Sequence, residues 1–398
     1  MNKNFSCLLA ICLLNNIANA QWTAVNTGLP NSGSSTNVEY FAAIGTNLFA
    51  ATSTGVFHTN NNGYSWTGVN SGITDTDIEA LAAIGTNLFA GTGGGIFKSV
   101  DNGANWTAIN TGLDISMGTS IYSFFVSGTS LYAGTEAGVF RSVPPYTSWT
   151  GVNTGLPKTD IYAFAQIGND LFAGVLFSGI YMTNNSGASW SAVNTGLPTG
   201  FNSDFESFSV INQNLFAGDL GGGVYLSVNN GTNWSAVNTG LDNLHVHALA
   251  VSGTNLFAGT DGGVFLSKNN GTSWIAVNIG LTCMNVQSLV VFGTNLYAGT
   301  GDGIFKADLY SLVGIHEAQN GNSQVSIFPN PCKESFQIII DDVHTANIEI
   351  FNFMGECVFQ TELQNNANEI EISSLASGVY IINVAGKDWS VQKKMIKE

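Results

Sequence analysis

The sequence predicts an all-β protein: a seven-bladed β-propeller followed by a small β domain. Tryptophan recurs at Trp22, Trp66, Trp106, Trp149, Trp190, Trp234 and Trp274, every 40 to 44 residues. Each sits in one phrase, W-x-[AG]-[VI]-N-x-G-[LI], as in residues 106–113. Between the tryptophans the chain reads as short apolar runs split by Gly/Asn turns, which is strand and hairpin chemistry. A period of this length, made of such runs, marks four-stranded sheets stacked around an axis, because one such sheet cannot bury both faces alone.

The repeat divides into four strands. In the second unit Ile78–Ile84 is an apolar inner strand, and Asn87–Thr92 follows a Gly-Thr turn. Gly95–Ser99 follows a Gly-rich turn, and residues 106–110 close the unit. The Asn-Leu-Phe-Ala strand occurs seven times, at Leu48, Leu88, Leu131, Leu171, Leu215, Leu256 and Leu296. The Gly-Val-Phe strand also occurs seven times, from Val56 to Ile304. Trp22 has no partner strands before it, and residues 303–305 have no Trp strand after them. Closure of the ring follows: the Trp22 strand completes the seventh blade and removes two open edges.

The segments flanking the repeats differ. Residues 1–20 read as a signal peptide, with Lys3, an apolar stretch from Phe5 to Leu14 and the small-residue site Ala18-Asn19-Ala20. Cleavage there would start the mature chain at Gln21. The stretch is too short for an anchor, no other segment is long and apolar enough to span a bilayer, and a soluble exported product is expected. Domain boundaries are then 21–309 for the propeller, 310–322 for a linker and 323–398 for the last domain.

Charge restricts the partners. Residues 21–309 hold 16 acidic and 5 basic side chains, a net of −11, and residues 310–398 hold 11 and 5, a net of −6; with Lys3 this gives −16. Nucleic acid and anionic lipid are poor partners for so acidic a surface. Cys283, Cys332 and Cys357 remain after signal removal, with no C-x-x-C for metal or redox work. Cys332 and Cys357 could bridge.

Between the third and fourth strands lies S-x-D-x-G-x-x-W, from Ser99 through Asp101 and Gly103 to Trp106. Looser copies run from Thr59, Thr183, Ser227 and Ser267, with Asn in place of Asp; the third blade has Pro144 and Tyr146 instead. This motif resembles the Asp-box of the bacterial neuraminidase (BNR) repeat, and the resemblance implies a folding motif on the face away from any ligand site. Asp or Asn can bond turn amides, and Gly can take a positive φ.

The last domain opens on Pro329-Asn330-Pro331, continues through Met354-Gly355 and residues 375–380 (Leu-x-x-Gly-x-Tyr), and ends on a basic tail around Lys393, Lys394 and Lys397. It resembles the type A C-terminal sorting domain of the Bacteroidetes type IX secretion system. The resemblance implies an immunoglobulin-like sandwich and transit across the outer membrane by that machinery. It also implies removal by a sortase-like protease, with release or attachment to surface lipopolysaccharide.

Chemistry is sought where the repeat fails to repeat. One column across the inner strands holds Asn37, Asp77, Ser120, Asp160, Asp204, His245 and Asn285. Two residues on stand Glu39, Glu79, Tyr122, Tyr162, Glu206, His247 and Gln287. Turns on the same face add Glu136, Phe177, Asp219, Asp261 and Asp302. If inner strands line the channel, these form polar rings at its mouth. The ligand-binding set is then Glu39, Glu79, Tyr122, Tyr162, Glu206, His247, Gln287 and Phe177. Turn capping and a solvated channel wall explain the same columns without a ligand.

Three sharper chemistries bear on these rings. A sialidase needs several arginines for its substrate carboxylate, and the chain has one, Arg141. A glycoside hydrolase could use Glu79, Glu206, Asp77 or Asp204 as its two carboxylates. His245 and His247, with Asp204 and Glu206 on the neighbouring blade, are the weak candidates for a divalent cation; no metal and no cofactor is expected. The function expected is non-catalytic recognition of a glycan or an extracellular protein, with a polysaccharide hydrolase or a purely structural, adhesive protein as alternatives.

Overall fold

The structure, a computed structural model, describes residues 21–30, 37–113, 120–198, 204–313, 325–328, 331–340, 346–352, 357–363, 367–386 and 390–397. The chain divides into two compact units, residues 1–312 and 313–398. The expected signal peptide and its cleavage site lie outside the described residues.

The first unit is seven four-stranded antiparallel sheets. Blade 1 is typical: Val38–Ile44 innermost, then Asn47–Thr52, Gly55–Thr59 and the short outer Thr67–Gly68. The innermost strands of blades 2 to 7 are Ile78–Ile84, Ile121–Ser127, Ile161–Ile167, Phe205–Ile211, Val246–Ser252 and Val286–Phe292. Each packs on its neighbours, including Val38–Ile44 against Val286–Phe292, so the ring is closed. Trp22–Ala24 completes blade 7 by pairing antiparallel with Gly303–Asp308, Trp22 opposite Ala307.

The repeated phrase is a fastener between blades. The indole of each of the seven repeat tryptophans donates from Nε1 to a backbone carbonyl just past the preceding blade's outer strand: Trp66 to Val25 (2.8 Å), Trp106 to Val69 (2.7 Å), Trp149 to Ile109 (2.8 Å). Trp22 closes the ring with the same bond, to Val277 at 2.6 Å, and is 1% exposed. The Asn of the phrase acts within its own blade: Asn110 Oδ1 accepts from the amide of Ile96 at 2.8 Å, as Asn70 does from Val56 at 2.7 Å. The Gly is forced by close approach. Gly112 has φ +89°, and an added Cβ would collide with the Trp149 carbonyl oxygen.

The Ser/Thr-x-Asp/Asn-x-Gly turns close as the residue types predict. Ser99 Oγ donates to Asp101 Oδ1 (2.7 Å) and accepts from Gly103 N (2.9 Å), while Asp101 Oδ1 accepts from Asn105 N (2.9 Å). These bonds hold the Asp101 carboxyl down at about 2, the Asn105 side chain contributing most. In the departing third blade Tyr146 takes the positive φ (61°) and buries its ring edge-on against Phe89. Register places all these turns at the opposite end of the blades from the first residues of the inner strands.

Where the sequence predicts a linker from residue 310, the chain first makes a helical turn, Leu309–Val313. Leu312 is 1% exposed and Leu309 N donates to Thr294 O, so apolar burial extends the first unit beyond the last strand. The second unit has a three-stranded sheet (Val325–Phe328, Ser335–Ile340, Ala367–Glu371) and a four-stranded one (Cys357–Leu363, Ala346–Phe351, Gly378–Ala385, Ser390–Lys397). Alternating residues such as Phe336, Ile338, Ile348, Ile350, Ile382 and Met395 form its core, the pattern of a β-sandwich. Pro329, Asn330, Met354 and Gly355 lie outside the described residues. Cys332 and Cys357 form no disulfide: Cys332 Sγ is directed at Ile396 O and Cys357 Sγ at Phe359 O.

Candidate functional site at the channel mouth

One backbone irregularity builds the site. In every innermost strand the register skips the second residue, from Val38 to Tyr40, Ile78 to Ala80, Ile121 to Ser123, and so through blade 7. A β-bulge leaves one residue without a ladder partner and re-aims its side chain. The seven bulged residues are Glu39, Glu79, Tyr122, Tyr162, Glu206, His247 and Gln287. The residue before each is fully buried and fixes the strand. Sequence periodicity shows that this column is polar; the bulge is why it can be.

All seven line one cavity of about 530 Å3, together with Asp77 and, deeper, apolar side chains such as Phe41, Phe124, Phe164 and Phe208. Its lining holds four carboxylates, Glu39, Asp77, Glu79 and Glu206, and no lysine or arginine. Tyr122 and Tyr162 form its aromatic wall, ring centroids 4.8 Å apart and tilted by 48°, with Tyr122 Oη donating to Glu136 Oε1 at 3.1 Å.

The first column mostly supports the second. Asn37 Nδ2 donates to Glu39 Oε1 (3.0 Å), the Ser120 hydroxyl bonds Glu79, and Tyr162 Oη donates to Asp160 Oδ2 (3.4 Å). Asp204 lies outside the lining, its amide donating to Asp219 Oδ1 at 2.7 Å. Asp219 is not a rim acid as the sequence suggests. It is fully buried where five other blades carry Thr, and also accepts from Gly222 N at 2.7 Å. Phe177 stands on a separate turn with φ 55° and 45% exposure, outside the lining.

His245 and His247 meet carboxylates through their ring nitrogens, and no group of three His, Cys, Asp or Glu placed to hold a metal ion occurs among the described residues. His247 bridges blades instead: Nδ1 lies 3.2 Å from Glu206 Oε2 and Nε2 lies 2.9 Å from Asp261 Oδ1. With a carboxylate at each ring nitrogen, the doubly protonated imidazolium is favoured. His245 Nδ1 adds a third contact at Asp261 Oδ2, 2.9 Å, and Asn285 Nδ2 a fourth at Oδ1, 3.2 Å.

Crowded charge sets the proton affinities. Burial first, then Asp77, Glu39 and Asp75, push the Glu79 carboxyl up to about 7 against the Ser120 hydrogen bond. Burial and Asp77 raise Glu39, which also feels Glu206. Asp204 is pushed up to about 7 by burial, Glu206, Asp219 and Asp160, with His247 opposing. Burial works against the His247 cation, but its bonds to Glu206 and Asp261 outweigh it and its pKa is raised. Glu79 Oε2 and Asp204 Oδ1 are buried without a hydrogen-bond partner.

Similarity to known proteins bears on the whole chain. Residues 326–398 match the secretion system C-terminal sorting domain family. The carboxy-terminal unit is a type IX sorting domain. Residues 19–196 match the DUF6242 beta propeller domain. The sorting domain implies export by the type IX machinery and a cell-surface or extracellular location, and no helix among the described residues is long and apolar enough to cross a membrane. A 76-residue stretch is 32% identical to ulvan lyase NLR42 of Nonlabens ulvanivorans, covering 19% of this chain and only 14% of that enzyme. Among solved structures, the extracellular domain of the putative hybrid two component system BT4673 from B. thetaiotaomicron superimposes with TM-score 0.60 at 16% identity, over 80% of this chain and 44% of that one. PorZ, a surface component of the type-IX secretion system of Porphyromonas gingivalis, gives 0.55 at 17%, over 91% and 59%. The GH74 xyloglucanase from Xanthomonas campestris gives 0.57 at 16%, over 81% and 60%. At these identities the likeness is one of fold.

Proposed function

We propose that the protein is a non-catalytic recognition module, its ligand a glycan or an extracellular protein held at the channel mouth. The observation that carries this reading is the convergence of seven bulged, non-repeating side chains on a single cavity, each directly after a buried Val, Ile or Phe. An aromatic wall beside carboxylate acceptors, above an apolar floor, is the composition of a small-ligand site. Export places such a site outside the cell.

A hydrolase is the second reading, favoured by one observation. Glu79, its carboxyl pushed up to about 7, lines the same cavity as Asp77 and Glu206, and a carboxyl raised so that it can donate a proton is one half of what glycoside hydrolysis requires. The xyloglucanase supplies a fold likeness only.

The test is a glycan-array and peptide-array screen of the mature protein, with product analysis on every hit. Reversible binding of intact ligand, weakened by Glu79→Gln and Glu206→Gln, supports recognition. Released reducing ends that disappear in Glu79→Gln would replace it with the hydrolase. Binding untouched by either substitution would remove the mouth from the function altogether.

A further inference from the structure

The turns between third and fourth strands carry a chemical risk that the fold itself creates. In four blades the turn places a left-handed residue directly before a glycine. Asn62, Asn102, Asn230 and Asn270 have φ of 57°, 57°, 53° and 54°, and Asn is among the few residues other than Gly suited to that region. The glycine after each is fixed by space. It too has a positive φ, and an added Cβ would stand 2.9 Å from Val69 at Gly103 and 2.8 Å from Val237 at Gly271. Two backbone demands thus write Asn-Gly into all four turns, at 62–63, 102–103, 230–231 and 270–271. That pair is the one most open to deamidation, because a following residue without Cβ leaves the Asn carboxamide uncrowded.

The reaction runs through the glycine amide. Its nitrogen gives up a proton and attacks Asn Cγ. The new N–Cγ bond closes a succinimide as the Cγ–Nδ2 bond breaks, and ammonia leaves with the proton. Water then opens the ring to aspartate or isoaspartate. The four asparagines are exposed, but each glycine is buried. Each glycine N–H donates to the hydroxyl that opens the turn: Gly63 to Thr59 (3.1 Å), Gly103 to Ser99 (2.9 Å), Gly231 to Ser227 (2.8 Å) and Gly271 to Ser267 (2.8 Å). Loss of the proton would forfeit that bond and leave an anion away from water, facing the oxygen's lone pairs. The hydroxyl has no spare proton to offer it, since Ser267 Oγ already donates to Asn269 Oδ1 at 3.0 Å.

We propose that the Ser or Thr opening each of these turns is a chemical guard, which keeps a modification-prone Asn-Gly pair intact in a protein that works outside the cell. The duty is independent of what the mouth binds. In blade 4 Thr183 makes the same bond to Gly187, behind Ser186 and with no carboxamide to protect. The bond therefore closes the turn in all five blades, and guarding is its second consequence in four.

The experiment is peptide mapping by mass spectrometry of the full mature chain, held folded or in urea at mildly alkaline pH. Samples are wild type, Ser267→Ala, Ser267→Thr and Ser227→Ala. All four asparagines should persist in the folded wild type while the urea sample converts them. In folded Ser267→Ala, Asn270 should convert at least about tenfold faster than in wild type, the scale of one hydrogen bond lost from a buried donor. Ser267→Thr should restore protection, and Ser227→Ala puts the same question to Asn230. The other asparagines in each variant are internal controls for folding. Conversion confined to the turn that lost its hydroxyl is the expected result. Intact Asn270 and Asn230 in the folded variants would overturn the proposal and leave backbone geometry as the protector. Conversion of all four in both variants would make global unfolding the control and overturn it too, as would a folded wild type that deamidates at the urea rate.

Discussion

Replacing Trp22 by Ala tests how the ring is closed. A buried Trp truncated to Ala costs about 3–5 kcal/mol wherever it sits. Trp22, 1% exposed, and Trp190, 4% exposed, make the same indole-to-carbonyl bond, at 2.6 and 2.8 Å. Global stability should therefore fall by a similar amount in both variants. The local consequence should differ. Trp22–Ala24 is a three-residue strand at the edge of its sheet, with no strand before it among the described residues. Ordering three residues costs about 1–2 kcal/mol each, so once the indole's contribution is lost little remains to hold the strand. The strand after Trp190 is already tethered on both sides by the chain. Native-state hydrogen exchange should show Gly303–Asp308 losing protection in Trp22→Ala well below the global unfolding energy, with no such change in Trp190→Ala. Guanidinium melts supply the global values. If Gly303–Asp308 stays protected in Trp22→Ala, the outer strand is not the closure and the reasoning fails.

The remaining predictions concern the phrase and the mouth. Asn110→Ala should cost about 1–3 kcal/mol in chemical denaturation, because the Ile96 amide loses the acceptor that satisfies it. Glu79 has a folded pKa of about 7 against 4.5 ordinarily, so the folded state holds the extra proton between those values. Stability should fall as pH rises through that window, and Glu79→Gln should flatten the fall in melting temperature. For His247 the folded pKa is raised, so its stabilisation is complete below about pH 6.5 and is lost as pH rises through the folded value. His247→Gln should remove that component, and imidazole NMR titration reads the pKa directly.

Much of the fold was legible because one phrase does the same mechanical task seven times. Trp, Asn and Gly each answer a separate need, a blade-to-blade donor, an amide acceptor and room for a carbonyl, so none can drift without loss. The polar column through Glu79 and Glu206 was legible as a break in the repeat. Its cause was not, since a bulge shifts register without changing hydrophobic pattern. Asp219 was misread as a rim acid because Asp and Thr are both ordinary turn residues, and only burial shows it standing in for the Thr of Thr92 and Thr260. Residues 310–313 read as linker because the single helical turn Leu309–Val313 is too short to carry a period.

Seven seams fastened by the same indole-to-carbonyl bond give the ring no privileged starting blade. Trp22 and Ala307 are side by side in blade 7, so the residues that precede the propeller and those that follow it attach at one point of the circumference. Six blades carry no chain end. A short peptide joining residue 21 to residue 309 could take over the work of that seam, and the chain could then be opened between any other two blades. Such circular permutants should regain the same ring and the same acidic mouth.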